Sequence, residues 1–96
     1  MIHIKLFNQV GSFAENKDIA RSIRIKKIIP ALEKNQEVIL DFEGIDSVTQ
    51  SFIHVLISDL IRNYGNEVLD KISFKNCNEI TKKIINLVIE YMQEAE

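Results

Sequence analysis

Between Val38 and Tyr64 the period of the apolar residues changes, and this change restricts the fold more than any other feature of the chain. Val38-Ile39-Leu40 is a continuous apolar run within Glu37 to Phe42, the pattern of a central strand covered on both faces. From Ser51 onward the spacing is helical, with Phe52, Val55, Leu56, Ile57, Leu60, Ile61 and Tyr64 forming a wide apolar face. Gly65 follows where a helix end favours a left-handed residue. A strand that feeds such a helix suits an α/β layer, whose crossovers between parallel strands are right-handed, if further strands accompany it.

The remaining segments supply them. Ile2, Ile4 and Leu6 alternate with His3 and Lys5, predicting a half-buried strand over residues 2–7, which the stretch from Asn8 to Ser12 then breaks. Residues 17–34 carry two helical stripes: Ile19, Ala20 and Ile23 make one, and Ile25, Ile28, Ile29 and Leu32 make another, rotated about half a turn from the first. Pro30 lies inside the second and predicts a kink or two shorter helices. Ile72 and Phe74 between Lys71, Ser73 and Lys75 read as an outer strand. Asn78 is a suitable N-cap for a last helix through about Met92, with Ile80, Ile84, Leu87, Val88 and Tyr91 as its buried stripe. The order predicts an α/β layer: a mixed sheet of three to four strands with helices packed on it, residues 1–96 forming a single domain.

A chain of 96 residues can enclose one core, burying roughly 60–70% of the surface of its unfolded form. Its 46% hydrophobic and 27% charged residues exclude the composition of a disordered chain. A net charge of -2 offers no general attraction for nucleic acid or anionic lipid. No apolar run approaches the ~20 residues needed to span a bilayer, so no membrane association is expected. A single cysteine, Cys77, forms no internal disulfide, and no signal-peptide pattern opens the chain; a cytoplasmic location is the expectation.

The polar island Asp46-Ser47-Val48-Thr49-Gln50-Ser51 lies between the strand and the helix, beyond the carboxyl end of the strand, where open α/β sheets place their working loops. Thr49 or Ser51 can cap the helix through a side-chain oxygen. A hydroxyl at a helix N-terminus is also a favourable place for an added phosphate or a bound anion.

The segment LDFEGIDSVTQSFIHVLISDLI, residues 40–61, resembles the STAS-like domain family of unknown function, small relatives of the sulphate-transporter and anti-sigma-factor-antagonist fold. Asp41-Phe42 matches the strand end, Gly44-Ile45 the turn and its buried anchor, and Thr49, Ser51 and Phe52 the loop and helix start. The resemblance implies a regulatory module in which this loop docks on a partner kinase of the histidine-kinase-like ATPase type and is switched by serine phosphorylation. Against the usual Asp-Ser-Ser-Gly pattern the chain has Thr49-Gln50-Ser51-Phe52, with Gln50 at the position of the family's phosphorylated serine, so a switch here falls to Thr49 or Ser51.

Other chemistry is poorly provided for. Asp41, Glu43 and Asp46 lie within six residues, but strand alternation sends neighbours to opposite faces and Gly44 stands where a calcium loop needs a ligand, so no metal and no cofactor is expected. His3 and His54 have no partner at metal-ligand spacing and read as surface residues. Cys77 has no neighbouring histidine and reads as inert. With no nucleophile elbow, phosphate loop or dinucleotide fingerprint, the chain is not expected to be an enzyme. Lys17, Arg21, Arg24, Lys26, Lys27 and Lys34 form a solvated helix face or a patch for an acidic protein surface. The leading expectation is a non-catalytic interaction module that binds a protein through Asp46, Ser47, Thr49, Gln50 and Ser51 and the following helix. The alternatives are a sensor for a small anion or nucleotide at the same helix start, and a homodimer formed through a sheet edge or through Ile85, Ile89 and Met92.

Overall fold

The structure is a computed structural model that describes residues 1–94. In chain order it contains β1 (Ile2–Lys5), α1 (Phe7–Val10), β2 (Phe13–Ala14), α2 (Lys17–Ile23), α3 (Ile29–Glu33), β3 (Val38–Asp41), β4 (Ser47–Val48), α4 (Gln50–Tyr64), β5 (Ile72–Lys75) and α5 (Glu79–Glu94). A π turn over Arg24–Ile28 joins α2 to α3, and a 3₁₀ segment, Asn66–Lys71, leads into β5.

The main sheet has the order β1-β3-β5, with the apolar run of β3 in the centre as expected. Both pairings are parallel, Ile2 and Ile72 flanking Val38 and Lys5 and Lys75 flanking Asp41, so this α/β sheet is uniform where a mixed one was anticipated. Alternation along the strands sorts the residues into two faces. Val38, Leu40, Ile4 and Ile72 belong to the main core, whereas Ile39, though buried, lies outside it, in the row with His3 and Ser73. The central strand is therefore buried throughout, but its core contacts come from one side. The opposite side carries polar neighbours and, at the strand end, Asp41.

The two rotated stripes of residues 17–34 are reconciled by the π turn. Ile29 donates its N–H to the carbonyl of Arg24, five residues back, so the helix widens by one residue and brings Ile28, Ile29 and Leu32 onto the core with the first stripe, while Ile25 stays exposed. Pro30 then sits at the start of α3, where its missing N–H does the least harm. Arg24, expected on a basic surface patch, is instead largely covered: its Nη1 donates to the Val55 carbonyl at 2.6 Å and lies 3.1 Å from the Asp59 carboxylate, tying this helix to α4. Lys17, Arg21, Lys26, Lys27 and Lys34 remain exposed.

The long helix α4 packs between α2 and α5. Phe52, Ile53, Leu56, Ile57, Leu60 and Ile61 fill the centre of the core, and Gly65, at φ +80°, closes the helix by donating its N–H to Ile61. Asn78 caps α5 as predicted, its side-chain oxygen accepting from the Thr81 N–H at 2.8 Å. The buried face of α5 differs from the expected one. Thr81, Ile85, Val88 and Met92 are buried, while Ile80, Leu87 and Tyr91 are exposed and Ile84 is half-covered. Of the Ile85, Ile89 and Met92 stripe proposed for a dimer, Ile85 and Met92 are consumed by the core and Ile89 is half-buried. No described helix is long and apolar enough to cross a membrane.

Candidate functional site

The polar island is a structured ledge. Its first part is β4, which pairs in parallel with β2 so that Phe13 stands opposite Ser47 and Ala14 opposite Val48. Ser12 accepts from the Asp46 N–H at 2.8 Å, Ala14 accepts from the Thr49 N–H at 3.0 Å, and the Asn78 side chain donates to the Asp46 carbonyl at 2.7 Å. The backbone is thus pinned from two sides. Ile45 and Val48 point into the core and anchor it, leaving Asp46, Gln50 and Ser51 exposed and Ser47 and Thr49 partly so.

Thr49 is the cap. Its Oγ1 accepts the Phe52 N–H at 3.0 Å, which satisfies one of the orphan donors of the helix and is worth about 1 kcal/mol. Ser51, the other hydroxyl considered for capping or modification, lies one residue inside α4 and is open to solvent. Gln50, Ser51, His54 and Val55 line an open groove of about 520 Å³ that Lys17 and Tyr91 complete. His54 is partly covered and its ring centroid lies 6.4 Å from that of Tyr91.

Two aromatic residues beside the ledge went unnoticed in the sequence. Phe7, on the one-turn helix α1, and Phe13, on β2, are 45% and 47% exposed. Gly44 makes room for the first: it has φ +85°, and a Cβ built there would lie 3.0 Å from the Phe7 ring. Gly44→Ala therefore meets both a left-handed backbone and a ring, and should cost about 1–2 kcal/mol in thermal or chemical unfolding. The signal was the pair of phenylalanines in the stretch from Phe7 to Asn16, which alternation alone did not pick out.

Asp41 lies in a separate cluster. At 4% exposure it accepts from Asn76 Nδ2 at 2.9 Å and from the Glu43 N–H at 2.9 Å, and it holds His3 Nε2 at 2.7 Å. The Asn76 bond leads, with the Glu43 amide and His3 behind it, in lowering the carboxyl from 3.8 to about 2, against a smaller upward push from burial. Asn76 reaches this position from a left-handed backbone, φ 59°. The Glu43 bond is local, tying the strand-end aspartate to the backbone two residues on. The partner role of His3 was hidden by the 38 residues that separate it from Asp41. Glu43 and Asp46 are exposed and do not join Asp41, and no group of three potential metal-ligating side chains occurs among the described residues. Cys77 is half-buried, and burial pushes its thiol up, away from the reactive thiolate.

Residues 20–82, more than half of the chain, match the family described as a STAS-like domain of unknown function. The chain belongs to this family. The match spans the central strand, the ledge, α4 and β5, so the candidate surface of this STAS-like domain lies within the family region, apart from Phe7, Phe13, Lys17 and Tyr91. No curated protein and no solved structure shows a significant match to the STAS-like domain.

Proposed function

We propose that this STAS-like domain is a non-catalytic regulatory module that docks on a protein partner through Asp46, Ser47, Thr49, Gln50, Ser51 and the start of α4. The observation that carries the reading is the pinned polar ledge with Phe7 and Phe13 half-exposed beside it. A preordered backbone loses little entropy on binding, its hydroxyl and amide groups exchange water for partner hydrogen bonds, and the aromatic rings supply the apolar anchors that dominate interface energies. The family resemblance favours a histidine-kinase-like ATPase as the partner class. Ser51, exposed at the positive end of α4, is the better placed hydroxyl for a phosphate switch, since the Thr49 oxygen is occupied as the cap. Ser51 and His54 line one groove, yet no hydrogen bond joins them, which agrees with binding more than with an activated nucleophile.

Affinity capture tests this with the native chain beside Phe13→Ser and Ser51→Glu. Both variants should melt within a few degrees of the native protein, because the first alters an exposed ring and the second adds a negative charge where the helix dipole favours it. An ATPase of the named class retained by the native chain and lost by both variants is the expected result. Equal retention by all three overturns the reading. A second reading, a small-anion or nucleotide sensor, is favoured by the groove itself, which sets Lys17 and His54 beside Ser51 and Gln50. Titration calorimetry with inorganic phosphate and with ATP separates the two: heat that is abolished by Lys17→Ala and unaffected by Phe13→Ser supports the sensor.

A further inference from the structure

The exposed side of α5 is an apolar face that the core leaves uncovered. Ile80, Leu87 and Tyr91 are 60%, 50% and 60% exposed, and Ile84 lies between them, half-covered. Their spacing, with steps of four, three and four residues, places all four on one stripe immediately beside the buried residues Thr81, Ile85, Val88 and Met92. Helix geometry sets Lys83, Glu90 and Glu94, all exposed, along the outer flank of that stripe. Their charges are ordered along the axis: the cation is near the N-terminal end and the two carboxylates near the C-terminal end. Glu79, the acid of the first turn, lies 3.8 Å from Lys82, and Lys83 has no acidic partner among the described residues.

We propose that a second copy of the chain covers this face, α5 against α5 in antiparallel orientation about a two-fold axis at Leu87. The distribution of charge selects both occupant and orientation. An antiparallel pair centred on Leu87 sets Ile84 of each copy across from Glu90 of the other, which brings Lys83 beside that carboxylate twice in one interface. A parallel pair would set the two Lys83 flanks on opposite sides of the seam, where neither lysine meets the partner's Glu90. The two leucines meet at the centre, and the isoleucines and tyrosines extend the apolar seam on either side. Tyr91 also borders the groove beside the ledge, but Leu87, Lys83 and Glu90 do not line it, so substitutions at those three positions test the dimer without altering the ledge.

Sedimentation velocity on the full chain, from low micromolar to near-millimolar concentration, tests the assignment. The native chain should show a reversible monomer-dimer equilibrium. Leu87→Asp should weaken it by about tenfold or more, and so should Lys83→Glu, which sets carboxylate against carboxylate. The double variant Lys83→Glu/Glu90→Lys exchanges the two charges and should restore the native dimerisation constant. All three alter exposed positions, and unchanged melting temperatures confirm that each still folds. A native chain that stays monomeric throughout overturns the proposal. So does a dimer indifferent to Leu87→Asp, and so does a double variant no better than Lys83→Glu alone.

Discussion

Phe52→Ala should destabilise the protein by about 3–5 kcal/mol in urea or guanidinium unfolding, the largest single loss expected here. Phe52 is fully buried at the first turn of α4, with Ile53, Leu56 and Ile57 equally covered around it. The truncation removes a ring's worth of apolar surface and leaves a void that cannot collapse readily, because the residue's own backbone is held twice: its N–H is bound to Thr49, and the Thr49 N–H is bound to Ala14. For a domain of this size such a loss is a large fraction of the total stability. A change below about 1 kcal/mol would place the ring outside the core and undo the packing described for α4. Phe52→Leu, which keeps most of the volume, should lose less than half as much.

The second large effect concerns Asp41. Asp41→Ala should cost about 2–4 kcal/mol at neutral pH, since it removes a carboxylate that accepts two hydrogen bonds and pairs with a histidine. Asp41→Asn should cost less and should change the pH profile more tellingly. The folded carboxyl titrates at about 2 instead of 3.8, so the folded state binds its proton less readily than the unfolded state. A depressed value of this kind gives stability that is complete above the unfolded value and is lost as pH falls from near 4 toward 2. The carboxylate lies under a thin cover at the sheet end, where solvent screens part of the interaction, and the acid-sensitive share is about 1–2 kcal/mol. Urea unfolding at neutral pH and at a series of acid values should show this limb in the native protein and its reduction in Asp41→Asn. An acid limb of equal size in both would assign it to other carboxylates.

What could be read from the sequence follows a physical division. Val38 to Phe42 and Phe52 to Tyr64 were legible because the first is too apolar for a surface strand and the second is helical over four turns. Asn78 and Gly65 were legible because capping depends on the residue itself. The face of α5 was not, since Ile80-Ile84-Leu87-Tyr91 and Ile85-Val88-Met92 are adjacent stripes of similar apolarity, and periodicity alone does not say which of them meets a core. The π turn escaped for a related reason: the rotation between its stripes was visible, but a kink at Pro30 accounts for it as well as one extra residue per turn. The ledge was anticipated as a place but not as a strand, because β2 and β4 have two residues each and exist only through each other. His3 and Asn76 came to Asp41 by tertiary pairing of strands, which no local pattern records.

The parallel order β1-β3-β5 has a consequence for how the molecule is made. Each ladder joins segments more than thirty residues apart, with a helical crossover between them, and the sheet has no hairpin that could zip up locally. Loop closure must therefore precede any reward from strand pairing, and folding should be slow for so short a chain. During synthesis the central strand has β1 on one side from an early stage, but its other edge stays open until Ile72 and the residues after it have left the ribosome. For that interval Val38-Ile39-Leu40 is an unprotected apolar edge, open to pairing with a strand of another chain.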